Sequence, residues 1–243
     1  MAANDFGKKI IFHTHVEKAA GTTIIEGLKE GLGAQHVHDM RFPHAVQPQK
    51  MTSAEKSKIW VLTGHFHFGA HMDKIARSKL FIASVRHPFD RFRSYVNYIG
   101  AGHPAYRFVG GKSFAEVIEE YLENKRPAAN NQMARVLTGV ASPTFQMVTE
   151  NIEKNYLFVS PHRRVNEALA ELLAVTIDKP STPENHSNKG PKKVWEDVGD
   201  WEAKFNAANA IDVDLHKYVE DNFDRWTSTI EERWNSISAT KEK

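Results

Sequence analysis

The chain has 243 residues, with 32 basic and 30 acidic side chains, 13 histidines and no cysteine. The lack of cysteine excludes disulfides, thiolate catalysis, iron–sulfur clusters and cysteine-based zinc sites. With 41% hydrophobic and 26% charged residues the chain is neither wholly disordered nor fibrous. Its formal charge of +2 is too mild to argue for nucleic acid or a membrane surface, so any anion must be held by a local cluster.

No stretch reaches the ~18 apolar residues of a membrane span. The first residues, MAANDFGKK, lack the charged-then-apolar order of a signal peptide. The expectation is a cytoplasmic protein without membrane insertion, in one domain over residues 1–243. Residues 9–15 of KKIIFHTHV read as a strand, followed by the loop EKAAGTT and a helix with Ile24, Leu28 and Leu32 at four-residue spacing. Gly31 and Gly33 end it. IWVLT at 59–63 is a second strand, running into GHFHFG, and KLFIASV at 79–85 is a third. Pro88 then opens a helix to about Gly100 with the apolar stripe Phe89, Phe92, Val96 and Ile99. Helical patterns follow at about 113–123, 128–138 and 144–153, then a fourth strand at 156–159 and a helix at about 164–174. KPSTPENHSNKGPKK, 179–193, is a long polar loop, and 199–237 reads as two helices. Strands alternating with helices predict an α/β fold with a mainly parallel sheet covered on both faces.

The strand–EKAAGTT–helix unit brings unpaired N–H groups and a helix N-terminus to one point, which favours an anion. Gly21 allows close backbone approach, Thr22 and Thr23 add hydroxyls, and Lys18 adds charge. The spacing is not G-x-x-x-x-G-K-[ST], because the lysine precedes the glycine by three residues. Taken alone, the loop is better explained by an ordinary threonine N-cap.

Further residues carry a resemblance. HTHVEKAAGTTI resembles the H-x-P-K-[TC]-[AG]-G-T-[ST] signature of sulfotransferases related to heparan sulfate 2-O-sulfotransferase, where it is the 5′-phosphosulfate loop. VRHPFDRFRSYVNY, about 70 residues on, resembles that family's R-x-P-x-x-R-x-x-S-x-Y segment, which holds the donor's 3′-phosphate. NNQMARVLTG, YLFVSPHRRVNEAL and NAIDVDLHKYVEDNF are similar to three later segments of the family, in the same order. Glu17, Ala19 and His216 depart from the pattern, standing where Pro, Thr or Cys, and Tyr are usual. Without an anchor or disulfides, the chain looks like a free-standing bacterial-type relative.

The resemblance implies a P-loop-NTPase-like three-layer domain with additional C-terminal helices. It implies 3′-phosphoadenosine 5′-phosphosulfate (PAPS) as donor co-substrate, no metal, and in-line sulfuryl transfer to a hydroxyl or amine. The acceptor would be an oligosaccharide or small alcohol. Lys18 is the expected stabiliser of the leaving group, with Ala20, Gly21, Thr22 and Thr23 around the 5′-phosphate and Arg86 and Ser94 at the 3′-phosphate. His65 is the first choice of base and His67 the second, with His15 and Glu17 as rivals. Ser187, Asn188 and Lys189 are the expected adenine-side residues of the long loop. Arg163 and Arg164 would face an anionic donor or acceptor, or solvent.

Three other readings compete. His13, His15, His65 and His67 could make a zinc site, giving a metal-dependent hydrolase or metal protein. A P-loop-like nucleotide phosphotransferase would share the fold, but the lysine spacing is wrong and no obvious aspartate closes the strands read here, which end in Thr63–Gly64, Val85–Arg86 and Val159–Ser160. A non-catalytic carbohydrate-binding protein would keep the fold without turnover.

Overall fold

The computed structural model of the protein describes residues 6–42, 44–99, 103–177 and 199–236. β1 (Lys9–Thr14) is buried along its whole length, as its β-branched and aromatic run requires. α1 (Gly21–Leu32) turns Ile24, Leu28 and Leu32 inward and stops at Gly33, whose φ is 91°. β2 (Val37–Asp39), α2 (Ser53–Lys58), β3 (Val61–Gly64) and β4 (Ser78–Val85) follow. Next come α3 (Pro88–Tyr98), α4 (Tyr106–Val109), α5 (Phe114–Glu123), α6 (Gln132–Thr138), α7 (Phe145–Asn155) and β5 (Tyr156–Pro161). α8 (Val165–Thr176), α9 (Trp201–Ala208), α10 (Ala210–Ser228) and α11 (Ile230–Ser236) complete the described chain.

The five strands are all parallel, in the order β2-β3-β1-β4-β5. Helices flank this sheet in two groups: α1, α8 and α11 pack together, and α6, α7 and α10 pack together, each group touching β5. Along β1, Lys9 reaches the carbonyl of Trp234 in α11, while Phe12 on the alternate face packs against Phe66 and Phe81. A second apolar cluster lies apart from the sheet, where Phe89 and Phe92 of α3 meet Phe114, Tyr121 and Phe205. This satellite cluster buries the apolar stripe of α3, which packs against α9 and α10.

Three elements were not expected from the sequence, each for a physical reason. β2 has three residues and only Val37 buried, so it carries no alternation to read; it ends in Asp39, so an aspartate does close a strand, contrary to expectation, and that carboxylate is paired with Arg41 at 2.7 Å. α2, SAEKSK, buries no residue and is set by a Thr52–Glu55 capping box rather than by an apolar stripe. α4 is a single turn. The C-terminal region forms three helices rather than two, divided at Asn209 and Thr229, because the apolar period runs on through both breaks. Trp60, Phe66 and Phe68 pack with the core, and Trp60 is sandwiched between Phe6 and His36 at ring distances of 4.7 and 3.7 Å.

β1 sends its connection toward the β3–β2 side, whereas β4 connects onward to β5. Neighbouring parallel strands whose connections part in this way open a crevice beyond their C-terminal ends. That crevice lies between β1 and β4.

Candidate functional site

A cleft of about 650 Å³ occupies this crevice. The β1–α1 turn, the start of α3 and the turn after β5 line it, including Lys18, Gly21, Thr22, Thr23, Arg86, Ser94 and Arg163. Among the described residues no helix is long and apolar enough to cross a membrane.

The β1–α1 turn is strained. Lys18 and Ala20 have φ of 63° and 68°, a left-handed conformation that side chains with a Cβ rarely adopt. Two anchors hold it: the Ser84 hydroxyl of β4 donates to the Ala19 carbonyl, and the Ala19 N–H donates to Val16 at 3.3 Å. Gly21 opens α1 beneath the His15 imidazole, and a Cβ there would lie 1.9 Å from the ring. The glycine therefore makes room for a side chain of the protein itself. Thr22 accepts a hydrogen bond from Arg41 at 3.3 Å, and Arg41 is fixed by Asp39 at 2.7 Å. Lys18 is half-buried with its ammonium 4.3 Å from the Tyr98 ring centre. Burial, then the nearby Arg86, lower its pKa, opposed by Glu17. Glu17 lines the cleft but makes no ion pair with Lys18; its carboxylate accepts from Gln132 at 3.3 Å.

Arg86 follows β4 directly, and Ser94 lies two turns into α3. Burial lowers the Arg86 pKa, with Asp90 opposing. Its Nε is buried with no hydrogen-bond partner. The tyrosine position of the R-x-P-x-x-R-x-x-S-x-Y pattern falls on Val96, which packs in the satellite cluster; Tyr95 and Tyr98 line the cleft instead. Arg91 is fully buried and donates to the Ala128 carbonyl, so it supports the helix from below.

The histidines separate into different roles. His13, His15 and His65 form a column with ring distances of 5.4 and 4.2 Å. His13 bonds Thr63 at 2.8 Å, and burial followed by Arg41 takes its pKa down to about 3. Burial, followed by its histidine neighbours, lowers His15 further, so both rings are neutral. His65 is exposed at the cleft with Nδ1 3.1 Å from the His15 carbonyl oxygen. A carbonyl only accepts, so Nδ1 donates to it, and in the neutral ring this tautomer puts the lone pair on Nε2. His67 is not among the cleft residues; it is exposed beside Arg135, and burial and that arginine lower its pKa. The chain bends after Gly64 at the end of β3, so the two histidines do not share the side that an extended strand would give them. His36 and His38 bond the backbone carbonyls of Lys58 and Val46, both at 2.8 Å. Among the described residues no three or more His, Asp or Glu side chains assemble as a metal-holding group.

Ser187, Asn188 and Lys189 lie outside the described residues. Arg164 is held by Glu167 and Asp224 at 2.6 and 2.7 Å, whereas Arg163 lines the cleft. Arg41, Tyr95, Tyr98 and His162 are cleft residues that the sequence reading missed. Two weaker motifs meet away from the cleft. Asn131 donates its N–H to Asn209 at 2.8 Å, and Asp212 accepts from the Met133 and Ala134 N–H groups at 3.0 and 2.8 Å. The late N-x-x-D segment thus caps α6. The chain matches no model of a known protein family, and no curated protein matches its sequence.

Proposed function

We propose that this protein is a PAPS-dependent sulfotransferase with a P-loop-NTPase-like three-layer fold. One observation carries the reading. Lys18, Gly21, Thr22 and Thr23 after β1, and Arg86 and Ser94 after β4, line a single cleft at the crevice where an α/β sheet binds ligands. Two motifs about 70 residues apart in sequence thereby become neighbours. The lining also fits a polyanion: Arg86 has a buried, unpartnered N–H, and neither Lys18 nor Arg86 forms an ion pair with a carboxylate among the described residues.

When bound, PAPS would supply an activated sulfuryl group on a 5′-phosphate leaving group. Thr22, Thr23 and the N–H groups at the start of α1 would hold the 5′-phosphate, and Arg86 with Ser94 the 3′-phosphate. Lys18 stabilises the charge that builds on the bridging oxygen as the sulfur–oxygen bond breaks, an interaction stronger in the transition state than before it. His65 Nε2 takes the proton of the acceptor hydroxyl or amine as the new bond to sulfur forms. The buried, neutral His15 ring and its carbonyl hold the His65 imidazole in that tautomer. An oligosaccharide or small alcohol is the proposed acceptor. His67 is the weaker base, since it stands off the cleft.

The test is thermal unfolding with adenosine 3′,5′-bisphosphate, the spent donor, beside ADP, Mg-ATP and Zn²⁺. A ligand at a hundred times its Kd adds ~2.7 kcal/mol. For a chain of this size that is a rise of roughly 5–10 °C. The proposal expects this rise with the bisphosphate and not with ADP. A larger rise with Mg-ATP or Zn²⁺ would replace it with the phosphotransferase or the metal protein.

A further inference from the structure

The 3′-phosphate half of the cleft has a further wall in the turn after β5. β4 and β5 pair in register to Val85–Pro161, and the His162 N–H donates to the Val85 carbonyl at 2.8 Å. This tether sets the turn after β5 directly beside Arg86. His162 and Arg163 both line the cleft there. The neighbouring Arg164 turns the other way, onto Glu167, Asp224 and the Phe223 ring 4.2 Å below it. Arg163 makes no ion pair or hydrogen bond among the described residues, and His162 Nδ1 is buried without a hydrogen-bond partner, as is Arg86 Nε. Asp90, whose charge opposes theirs, is shared with Arg93 at 4.0 Å. The half-buried Arg86, the exposed Arg163 and a buried ring nitrogen thus share one wall, with Asp90 the carboxylate that opposes their mutual repulsion at Arg86 and His162, so the wall favours an incoming anion.

We infer that His162 and Arg163 form the second arm of a phosphate-monoester clamp opposite Arg86, and that His162 takes up a proton when the phosphate binds. The inference rests on the donor reading and assigns further residues of this chain to its 3′-phosphate. The groups facing His162 agree with it. Burial, then Arg86, Arg163 and His216, press its pKa down to about 4, and only Asp90 opposes. Without an anion the ring is therefore neutral. A dianion between it and the two arginines reverses the sign of its field, raises its pKa and draws in a proton. Binding that takes up a proton strengthens as pH falls.

The experiment is calorimetric titration of adenosine 3′,5′-bisphosphate and of AMP into the full chain and four variants. In the wild type the bisphosphate binds more tightly than AMP. Arg163→Ala should weaken the bisphosphate roughly tenfold to a hundredfold and leave AMP unchanged. Arg163→Lys should recover part of the loss, and Arg164→Ala should alter neither ligand. Titration near pH 6 in two buffers of different ionisation enthalpy should show proton uptake in the wild type and none in His162→Gln. The phosphate's own second proton opposes this trend, so the pH dependence is read as the difference from His162→Gln. Unchanged bisphosphate affinity in Arg163→Ala, or equal proton uptake in His162→Gln, overturns the clamp while the wild-type preference leaves the donor reading standing. A wild type that binds AMP as tightly as the bisphosphate overturns both. Melting temperatures of the variants separate a lost contact from a lost fold.

Discussion

Gly21→Ala tests the geometry on which the site depends. The added Cβ would lie 1.9 Å from His15 Cδ2, 2.1 Å from Nε2 and 2.6 Å from Cγ. These are far inside van der Waals contact, and the ring has nowhere to swing. His15 is 6% exposed and sits between His13 at 5.4 Å and His65 at 4.2 Å. Overpacking of this kind costs about 1–3 kcal/mol. For a chain of this length the melting temperature should fall by roughly 2–12 °C. Turnover should fall as well, because the displaced His15 carries both the ring that stacks on His65 and the carbonyl that fixes its Nδ1. The control is His15→Ala, which empties the space that the new methyl needs. In that background Gly21→Ala should cost almost nothing, so the two changes are strongly non-additive. The assays are differential scanning fluorimetry and sulfuryl transfer on all four members of the cycle. An unchanged melting temperature in Gly21→Ala, or the same loss with His15 already removed, would refute the packing argument.

The other expectations concern charge and caps. Lys18→Ala and Arg86→Ala should both cut turnover severely, but only Arg86→Ala should erase the preference for a 3′-phosphate in nucleotide binding. His65→Ala should lower turnover by roughly 10²–10⁴-fold while the thermal shift with adenosine 3′,5′-bisphosphate survives; full turnover in that variant removes His65 from the role of base. Asp212→Ala leaves the Met133 and Ala134 N–H groups unpaired and removes the negative charge facing the buried Arg91, so it should cost about 3–5 kcal/mol by chemical unfolding. Asp212→Asn should recover part of that loss, because a carboxamide oxygen still accepts. Burial raises the pKa of Glu153, but hydrogen bonds from Arg225, Tyr218 and Trp226 outweigh it and hold the group at about 2, below its ordinary 4.5. Its stabilisation is therefore complete above about pH 4.5 and lost as pH falls toward 2, and Glu153→Gln should flatten the acid limb of a melting-temperature profile.

The sheet was legible because burial leaves a mark on sequence. KIIFHT and KLFIASV are apolar on both faces, and such strands belong in the middle of a parallel sheet, where β1 and β4 lie. β2 and α2 escaped notice because they bury almost nothing and are held by ladder pairing and a capping box. The same division runs through the site. Lys18, Arg86 and Ser94 stand within local motifs, so their spacing survives in one dimension. Arg41, His162 and Tyr98 reach the cleft through β-sheet register and helix phase, and no short pattern announces that. Gly21 shows how spacing gives an incomplete reason for a residue: the loop needs a glycine, and the space of the missing side chain is filled by the ring of His15, six residues earlier. The N-x-x-D segment at Asn209 and Asp212 makes the same point from the other side. It stands out in sequence like a site motif, but its polar groups are spent on the N-terminus of α6. Spacing identifies groups that act together; only the unsatisfied ones, such as Arg86 Nε and His162 Nδ1, are left to meet something from outside the chain.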